Sequence, residues 1–260
     1  MMFSCMAAPI RLLPADFDAE LLPDELEEPD AVPFGLRQDT MEPALLELGV
    51  TDQHLLVFGD TGSGKTTVMR TVIRGLLQRY TADELVIAVM DLRGDVAAEV
   101  PDEYLGGHAS TSTLARGLST AIADELEKRL GSGAGTSAGE GPRIVVIADD
   151  YDIVASGGTE PLKPLLPYLP SARDLRLHVL LTRPVAGVGR AMYDLTLQTL
   201  RDTGGSLLLM SGERGEGQVV PGVYAEQMVP GRGRLVRRGE RPRIVQVANS
   251  RASERDPHAA

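Results

Sequence analysis

The stretch Gly59-Asp60-Thr61-Gly62-Ser63-Gly64-Lys65-Thr66 decides the fold, because it fills every fixed position of a phosphate-binding loop. Such a loop needs glycines for its positive φ angles and for the close approach of its backbone N–H groups to phosphate oxygens. In this pattern the lysine reaches the β- and γ-phosphates, and the last hydroxyl binds Mg²⁺. We therefore predict that ATP and Mg²⁺ are bound by Gly59, Asp60, Thr61, Gly62, Ser63, Gly64, Lys65, Thr66 and Thr67.

The sequence on both sides of the loop supports this interpretation. Residues 54–58 form an apolar run typical of a buried strand, and residues 67–77 continue an amphipathic helix that begins at Gly64. The positive end of that helix would face the bound anion. A strand, a phosphate loop and a helix in this order predict an α/β fold of the P-loop NTPase class, with a mostly parallel sheet flanked by helices.

A second strand that ends in carboxylates follows roughly 85 residues further on. Residues 143–148 are mostly apolar and β-branched, and Asp149 and Asp150 come directly after them. In the Walker B pattern, a carboxylate at a strand end holds Mg²⁺ through water, and the next acid polarises the attacking water. We predict that Asp149 and Thr66 hold the metal and that Asp149 and Asp150 are catalytic. The alternative is a strand that ends in turn-forming aspartates.

Asp150 stands where many P-loop ATPases have glutamate, and aspartate is one methylene shorter. A misplacement of about 1 Å costs on the order of a hundredfold in rate. Hydrolysis is therefore expected to be slow even if ATP binds tightly.

Several further residues have two interpretations each. Thr182 ends the strand 177–182 and is predicted to sense the γ-phosphate or the attacking water, or else only to cap the strand. Arg190, in a glycine-flanked loop, is a candidate arginine finger for a neighbouring subunit or a surface arginine. Arg183 has the same two interpretations, of which the ordinary surface arginine is preferred. Asp91 is a ligand or a strand cap, and His178 is predicted to be a core residue.

Periodicity predicts the remaining elements. We expect strands over 84–91 and 206–210, a loop over 101–107, a helix over 191–201, an irregular short helix over 162–169, and a mobile surface loop over 131–141. A hairpin of residues 32–36 with 47–50 is expected at the sheet edge, where contacts to the base are conceivable, and a second hairpin of 234–238 with 243–247 near the end. One long helix should face the sheet through Leu114, Leu118, Ile122, Leu126 and Leu130.

Composition and charge limit the class of protein. The 260 residues show no compositional break in the middle, so we predict an arm or linker over 1–50 that packs on an ATPase domain over 51–250, and a disordered tail over 251–260. The apolar runs are shorter than the roughly 20 residues that span a bilayer, and no signal peptide is evident. One cysteine, Cys5, fits a reducing compartment, so a cytoplasmic location is expected.

The net charge of −11 is unevenly distributed. Residues 1–50 carry eleven acids against two arginines, whereas residues 211–260 carry nine arginines against six acids. An acidic chain with only three lysines is a poor match for DNA, because non-specific DNA affinity comes mostly from neutralising phosphates. Both charge runs are most simply solvated faces.

Taken together, the motifs resemble the FtsK/SpoIIIE-type ATPase modules of the EccC family, the motors of type VII (ESX) secretion. The resemblance runs from about Ala8 to Ala248, and its specific part is Asp149-Asp150-Tyr151-Asp152 and Pro230-Gly231-Arg232-Gly233. The Ala-Pro-Ile-Arg-Leu-Leu-Pro opening is most similar to the last of three tandem modules. The resemblance implies a RecA/FtsK-like fold with an extended N-terminal arm and a C-terminal β-hairpin.

The resemblance also implies a function. A module of this family would be cytoplasmic, part of a membrane-anchored complex with neighbouring ATPase modules and other type VII membrane components, and not itself membrane-spanning. It would recognise the C-terminal export signal of WXG100-type substrates and couple that signal to motor assembly, with ATP bound and little turnover. The alternative is a DNA-translocating ring ATPase of the FtsK/SpoIIIE type, in which the basic tail faces the duplex; a self-sufficient ATPase with a fully competent Asp150 is a weaker third hypothesis.

Overall fold

A ten-stranded sheet organises the computed structural model, which describes residues 12–131 and 141–249. The predictions for the tail over 251–260 and for most of the glycine-rich loop over 131–141 lie outside the described residues.

The strands and helices follow in chain order. The strands are β1 (Ala31–Arg37), β2 (Pro43–Glu47), β3 (His54–Phe58), β4 (Leu85–Met90), β5 (Leu105–Ala109), β6 (Arg143–Ala148), β7 (Leu177–Arg183), β8 (Gly205–Met210), β9 (Gln218–Val220), β10 (Val223–Tyr224), β11 (Arg232–Val236) and β12 (Arg243–Val247). The helices are α1 (Lys65–Leu77), α2 (Ser112–Gly131), α3 (Tyr151–Val154), α4 (Val188–Ala191) and α5 (Leu195–Asp202). Short 3₁₀ helices include Ala19–Leu21 and Lys163–Ser171, the second in the region expected to be an irregular short helix.

The strand order is β2-β1-β12-β11-β8-β3-β7-β6-β4-β5, and β9 and β10 form a separate pair. Neighbours from β8 to β5 are parallel, whereas β8, β11, β12, β1 and β2 pair antiparallel. The predicted mostly parallel α/β sheet is thus confirmed, as is the terminal hairpin of β11 and β12. Because β3 is the sixth of the ten strands, the phosphate loop that follows it emerges near the middle of the sheet, at the carboxyl ends of the parallel strands.

Two apolar cores cover the two faces of the sheet. Alternate residues of each buried strand point to opposite faces, so Leu56 and Phe58 join the core under α2 and α5, whereas Leu55 and Val57 join the core under α1. Strands buried on both faces read as continuous apolar runs, which is why β3, β4, β6 and β7 are recognisable from sequence.

Buried polar residues lie at the amino-terminal ends of these strands. His178 donates from Nδ1 to the carbonyl oxygen of Gln53 (3.0 Å), and its Nε2 accepts from Arg143 (2.7 Å). His54 Nδ1 accepts from the backbone N–H of Val179 (3.1 Å). Burial lowers the pKa of both histidines to about 3. His178 is therefore a core residue, as the sequence predicts.

A buried ion pair joins the antiparallel strands to β3. Asp52, fully buried just before β3, accepts from Arg237 (2.6 Å) and from the hydroxyl of Ser206 on β8. The backbone N–H of Glu47 at the end of β2 donates to the same carboxylate (2.8 Å). One carboxylate thus connects four separate segments of the sheet.

The long helix α2 is confirmed. The prediction that its whole stripe of four leucines and one isoleucine faces the sheet is wrong for the first and last residues of the stripe. Ile122 and Leu126 are buried, whereas Leu114 and Leu130 are 53% and 49% exposed. A repeat of four residues advances about 40° beyond each full turn of 3.6 residues, so a four-residue stripe winds around the helix. Only its middle therefore faces the sheet.

The predicted continuous helix over 191–201 is also wrong. Asp194 interrupts it with extended backbone and caps α5 by accepting from the N–H groups of Thr196 (2.9 Å) and Leu197 (3.2 Å). An aspartate before a helix satisfies N–H groups that lack a partner inside the helix.

Strand boundaries differ by more than one residue from those predicted in three places, the smallest difference being at β11, which is Arg232–Val236 rather than 234–238. The expected loop over 101–107 contains the start of β5, the parallel edge strand, whose two glycines hide the pattern. The edge hairpin exists, but its second strand is Pro43–Glu47 rather than 47–50, because Gly49 turns the chain with φ of 81°.

Candidate nucleotide-binding site

The phosphate loop turns between β3 and α1 as its glycines require. Gly62 and Gly64 have φ of 79° and 104°, which side chains rarely tolerate. Gly59 needs its hydrogen for another reason, since a Cβ there would collide with Ser63 and Met210. The glycines thus leave the backbone N–H groups of the loop uncovered, as a bound polyphosphate requires.

Neighbouring segments brace the loop from outside. The backbone N–H of Asp60 donates to the carbonyl oxygen of Ser211 (2.8 Å), and that of Gly59 donates to the carbonyl oxygen of Arg183 (3.1 Å). The Ser63 hydroxyl is buried without a hydrogen-bond partner in the described residues, and Thr61 is exposed. Thr67 lies in the first turn of α1, beside the loop.

The predicted metal ligands lie together. The Thr66 hydroxyl donates to one oxygen of Asp149 (3.2 Å), and the Thr182 hydroxyl donates to the other (2.6 Å). Burial raises the pKa of Asp149, and the neighbouring charge of Asp150 adds to this effect, whereas the two hydroxyl hydrogen bonds oppose it. A cation at this point would favour the ionised carboxylate.

Mg²⁺ would need further ligands here. Within residues 12–131 and 141–249, no group of three His, Cys, Asp or Glu side chains is arranged to hold a metal ion alone. Thr66 and Asp149 fit Mg²⁺ that is also bound by phosphate and water oxygens, which is its usual environment in nucleotide sites. Bound this way, Mg²⁺ would neutralise phosphate charge.

Asp150 lies between two cations. Its carboxylate is 3.9 Å from Lys65 Nζ and 3.6 Å from Arg93, and its backbone N–H donates to Thr182 (2.8 Å). Lys65 itself is 3.5 Å from the carbonyl oxygen of Asp60. Asp150 has a left-handed backbone with φ of 46°. Thr182 thus contacts both aspartates, a position compatible with either role predicted for it.

The sequence does not reveal Arg93 as part of this site. Asp91 accepts from the N–H groups of Arg93 (2.9 Å) and Val96 (2.7 Å), which folds the loop after β4 so that Arg93 reaches Asp150. Asp91 is therefore a strand cap, one of its two predicted roles. In the sequence, the only sign that the loop after β4 belongs to the site is Asp91, an acid that directly follows a buried strand.

Of the two loop arginines, one differs from its interpretation. Arg190 lies exposed on α4, and no hydrogen bond or ion pair of its side chain occurs among the described residues. Arg183 is not an ordinary surface arginine. Its guanidinium lies 5.9 Å from the centre of the Phe58 ring, and burial lowers its pKa. The interpretation failed because a polar residue after a strand gives no sign of the ring beneath it.

The Pro230-Gly231-Arg232-Gly233 segment contacts the phosphate loop directly. The N–H of Gly231 donates to the carbonyl oxygen of Ser63 (2.8 Å), and a Cβ on Gly64 would lie 3.2 Å from the Gly231 nitrogen. Two segments more than 160 residues apart in sequence therefore form one surface.

The fold and this site are those of the P-loop NTPase class, and residues 24–129 match the FtsK/SpoIIIE family. Within that class, the chain is similar in sequence to the EccC proteins of ESX secretion systems. It is 33% identical over 93% of its length to EccC of Thermomonospora curvata and 34% identical over 94% to EccC4 of the Mycobacterium tuberculosis ESX-4 system. It covers 19% and 20% of these relatives, about a fifth of their length.

Solved structures agree with this assignment. The cytoplasmic domain of T. curvata EccC superposes with a TM-score of 0.87 at 32% identity, covering 96% of this chain and 30% of that one. A second structure, of T. curvata EccC ATPases 2 and 3 in complex with a signal sequence peptide, has the same TM-score, identity and coverage of this chain, and the match spans 46% of that chain. Within the described residues, no helix combines the length and apolar character needed to cross a membrane.

Proposed function

We propose that this chain is an ATP-binding module of a type VII secretion motor, corresponding to the last of its tandem ATPase modules. It recognises the C-terminal export signal of WXG100-type substrates and couples that signal to assembly of the motor with neighbouring modules and membrane components, in the cytoplasm. The observation that carries the proposal is the convergence of the phosphate loop, Thr66 and Asp149 in a homologue of a protein that binds a signal sequence peptide.

Slow hydrolysis is the second part of this proposal. A carboxylate that polarises water must have an oxygen directed at that water, and Asp150 is short and lies between Lys65 and Arg93. ATP then serves mainly to hold the module in its binding-competent form. Arg190, exposed on α4, remains a candidate finger for a neighbouring module.

A groove between α2 and the β5 edge of the sheet fits an amphipathic helical signal. It has a volume of about 310 Å³ and a mostly apolar lining, with Leu118 and Ile122 on one side and Val86, Ala88 and Ile144 on the floor. The charged residues of the lining are Glu125 and Arg129. A Cβ at Gly106 would collide with Val86, so the glycine keeps the floor open. Helical peptides dock in such grooves through apolar anchors spaced by three or four residues.

Fluorescence anisotropy tests the recognition. A labelled C-terminal tail from a WXG100-type protein of the same genome is titrated with the chain in ATP and Mg²⁺, beside duplex DNA at two salt concentrations. Saturable tail binding is expected, with negligible DNA binding. Salt-sensitive DNA binding without tail binding would favour the DNA-translocating alternative, because each neutralised phosphate changes log K by about 0.9 per log unit of salt.

Amino-acid substitutions test which residues bind ATP and which bind the tail. Lys65→Ala should abolish ATP binding, and normal ATP binding by that variant would contradict the nucleotide assignment. Leu118→Asp should weaken tail binding by more than about tenfold, as expected for a central anchor. Leu114→Asp, one turn away on the same helix but already exposed, is the control and should bind like the wild type. Equal affinities of the two variants would place the signal elsewhere.

A further inference from the structure

A cavity of about 380 Å³ lies beside the phosphate loop, on the side of the antiparallel strands. One wall is the loop and the start of α1, with Gly62, Gly64 and Thr67. The turn at Pro230 and Gly231 forms the second wall, and the N-terminal segment at Ala15 and Asp16 forms the third. The hairpin of β1 and β2, which the sequence suggested for base contacts, does not line the cavity.

Arg232 holds the N-terminal segment in place. Its guanidinium donates to the carbonyl oxygens of Leu13 (3.0 Å) and Pro14 (2.9 Å), and its Nε donates to Gln246 (3.1 Å). The Gln246 amide in turn donates to the carbonyl oxygen of Pro230 (3.1 Å). Arginine suits these three acceptors because its donors form a rigid planar fork, whereas the three donors of a lysine share one nitrogen and could not reach the same separated positions.

The same segment is also tied to the end of the sheet. The backbone N–H of Asn249 donates to the carbonyl oxygen of Phe17 (2.7 Å), and the backbone N–H of Ala19 donates to the carbonyl oxygen of Asn249 (3.3 Å). Leu13 and Ala19 are buried, although the acidic side chains between them face solvent. The segment from Leu13 to Ala19 is therefore docked by the Arg232 guanidinium, by backbone hydrogen bonds to Asn249 and by two buried apolar side chains.

We propose that the cavity takes the base and ribose of the nucleotide, and that Arg232 is a positioning residue that holds residues 13–19 as the outer wall. The inference rests on the proposed binding of ATP. Phosphates in the cradle next to Gly62 and Gly64 place the rest of a nucleotide within reach of this cavity. Cavities of this volume are typical of small-molecule sites. Gln246 and Asn249 add amide groups for the polar edge of a base, and Val247 adds apolar surface.

This arrangement couples the binding of ATP to the docking of residues 13–19. If the docked segment is a wall of the site, it raises the affinity for ATP, and ATP must stabilise the docked segment by the same factor. Residues that precede the ATPase core therefore respond to whether nucleotide is bound.

Tripolyphosphate separates the cavity from the phosphate cradle, because it carries the phosphates without the base and ribose. Wild-type protein should bind ATP about tenfold or more tightly than tripolyphosphate, both with Mg²⁺, as measured by calorimetry. Arg232→Lys should remove most of this difference while leaving the Kd for tripolyphosphate unchanged. Arg234→Lys is the matched control, since Arg234 lies two residues further along β11 and pairs with Glu226 away from the cavity.

Hydrogen exchange of the Ala19 and Asn249 amides gives a second readout. ATP should slow their exchange in the wild type by about tenfold, and in Arg232→Lys this response should be lost. Equal binding of ATP and tripolyphosphate by the wild type would overturn the cavity assignment and leave the nucleotide proposal standing. Failure of both ligands to bind would overturn both, and an unchanged response in Arg232→Lys would exclude Arg232 as the positioning residue.

Discussion

Asp150 shows how backbone geometry selects a residue at the site. With φ of 46°, its position suits Asp, Asn or Gly, whereas longer side chains are rare in this conformation. A short hydrogen-bonding side chain therefore agrees with the local fold, and the glutamate common in related motors does not. The backbone thus accounts for a departure that the motif alone leaves unexplained.

Replacing Asp150 should separate stability from turnover. Asp150→Glu is expected to lower the free energy of unfolding by about 1 kcal/mol through backbone strain, measured by urea denaturation. Phosphate release should rise, by up to about a hundredfold, because the longer side chain reaches further.

Asp150→Asn is the control for this experiment. It keeps the backbone preference, so its stability should stay within about 0.5 kcal/mol of the wild type, but it should not hydrolyse ATP. If Asp150→Glu and Asp150→Asn were equally stable, backbone strain would not explain the choice of residue.

The buried histidines make the fold sensitive to acid. Because burial lowers the pKa of His54 and His178 to about 3, each is neutral in the folded protein but gains a proton near pH 6.5 when unfolded. Their contribution to stability is complete above about pH 6.5 and is lost as the pH falls toward 3.

His54→Gln should reduce the dependence of the free energy of unfolding on pH, between pH 6 and 4, by about 1.4 kcal/mol per pH unit. Urea denaturation at several pH values measures this. An unchanged dependence would mean that His54 is protonated in the folded protein.

Sequence patterns identify the residues of the site that belong to contiguous motifs. Lys65, Thr66 and Asp149 were named because each belongs to a run whose spacing reflects its chemistry. Arg93 and Gly231 were not assigned to the site, because each reaches it from a loop whose path depends on hydrogen bonds with distant residues. Their contribution depends on tertiary structure, which local patterns do not encode.

At the scale of elements, α2 shows the limit of a four-residue stripe. Leu126 lies in the core, and Leu130, one step further along the same stripe, is half exposed. Leu126→Ala should therefore lower the free energy of unfolding by about 2–5 kcal/mol, whereas Leu130→Ala should change it by less than about 0.5 kcal/mol. Chemical denaturation of both variants measures the difference, and similar losses would contradict the winding of the stripe.

Elements were predictable where burial imposed a pattern. The central strands are mostly apolar because both faces are covered, and β11 alternates between buried and partly exposed residues. The strand β5 is a glycine-containing edge strand, and β9 and β10 have three and two residues. Their identity comes from pairing with neighbours, so composition alone could not reveal them.

At the scale of the whole molecule, Asp52 unites the two parts of the sheet. Asp52→Ala leaves Arg237 without its buried partner and should lower the free energy of unfolding by about 3–5 kcal/mol. Glu226→Ala removes the more exposed pair with Arg234 and should cost less than about 1 kcal/mol. Thermal or urea unfolding of the two variants tests this. Equal decreases in the free energy of unfolding would show that burial does not make the Asp52 pair more stabilising than the exposed one.

The pairing of residues 17–19 with Asn249 has a mechanical consequence. The chain enters and leaves the sheet side by side, so tension between residue 12 and residue 249 acts first on the Arg232 hydrogen bonds to Leu13 and Pro14 and then on the two that join residues 17–19 to Asn249. Those hydrogen bonds would break one after another, each bearing the full force in turn, before any strand of the sheet is loaded. A pull on the chain would thus peel the segment away at low force while the ten-stranded sheet stays folded.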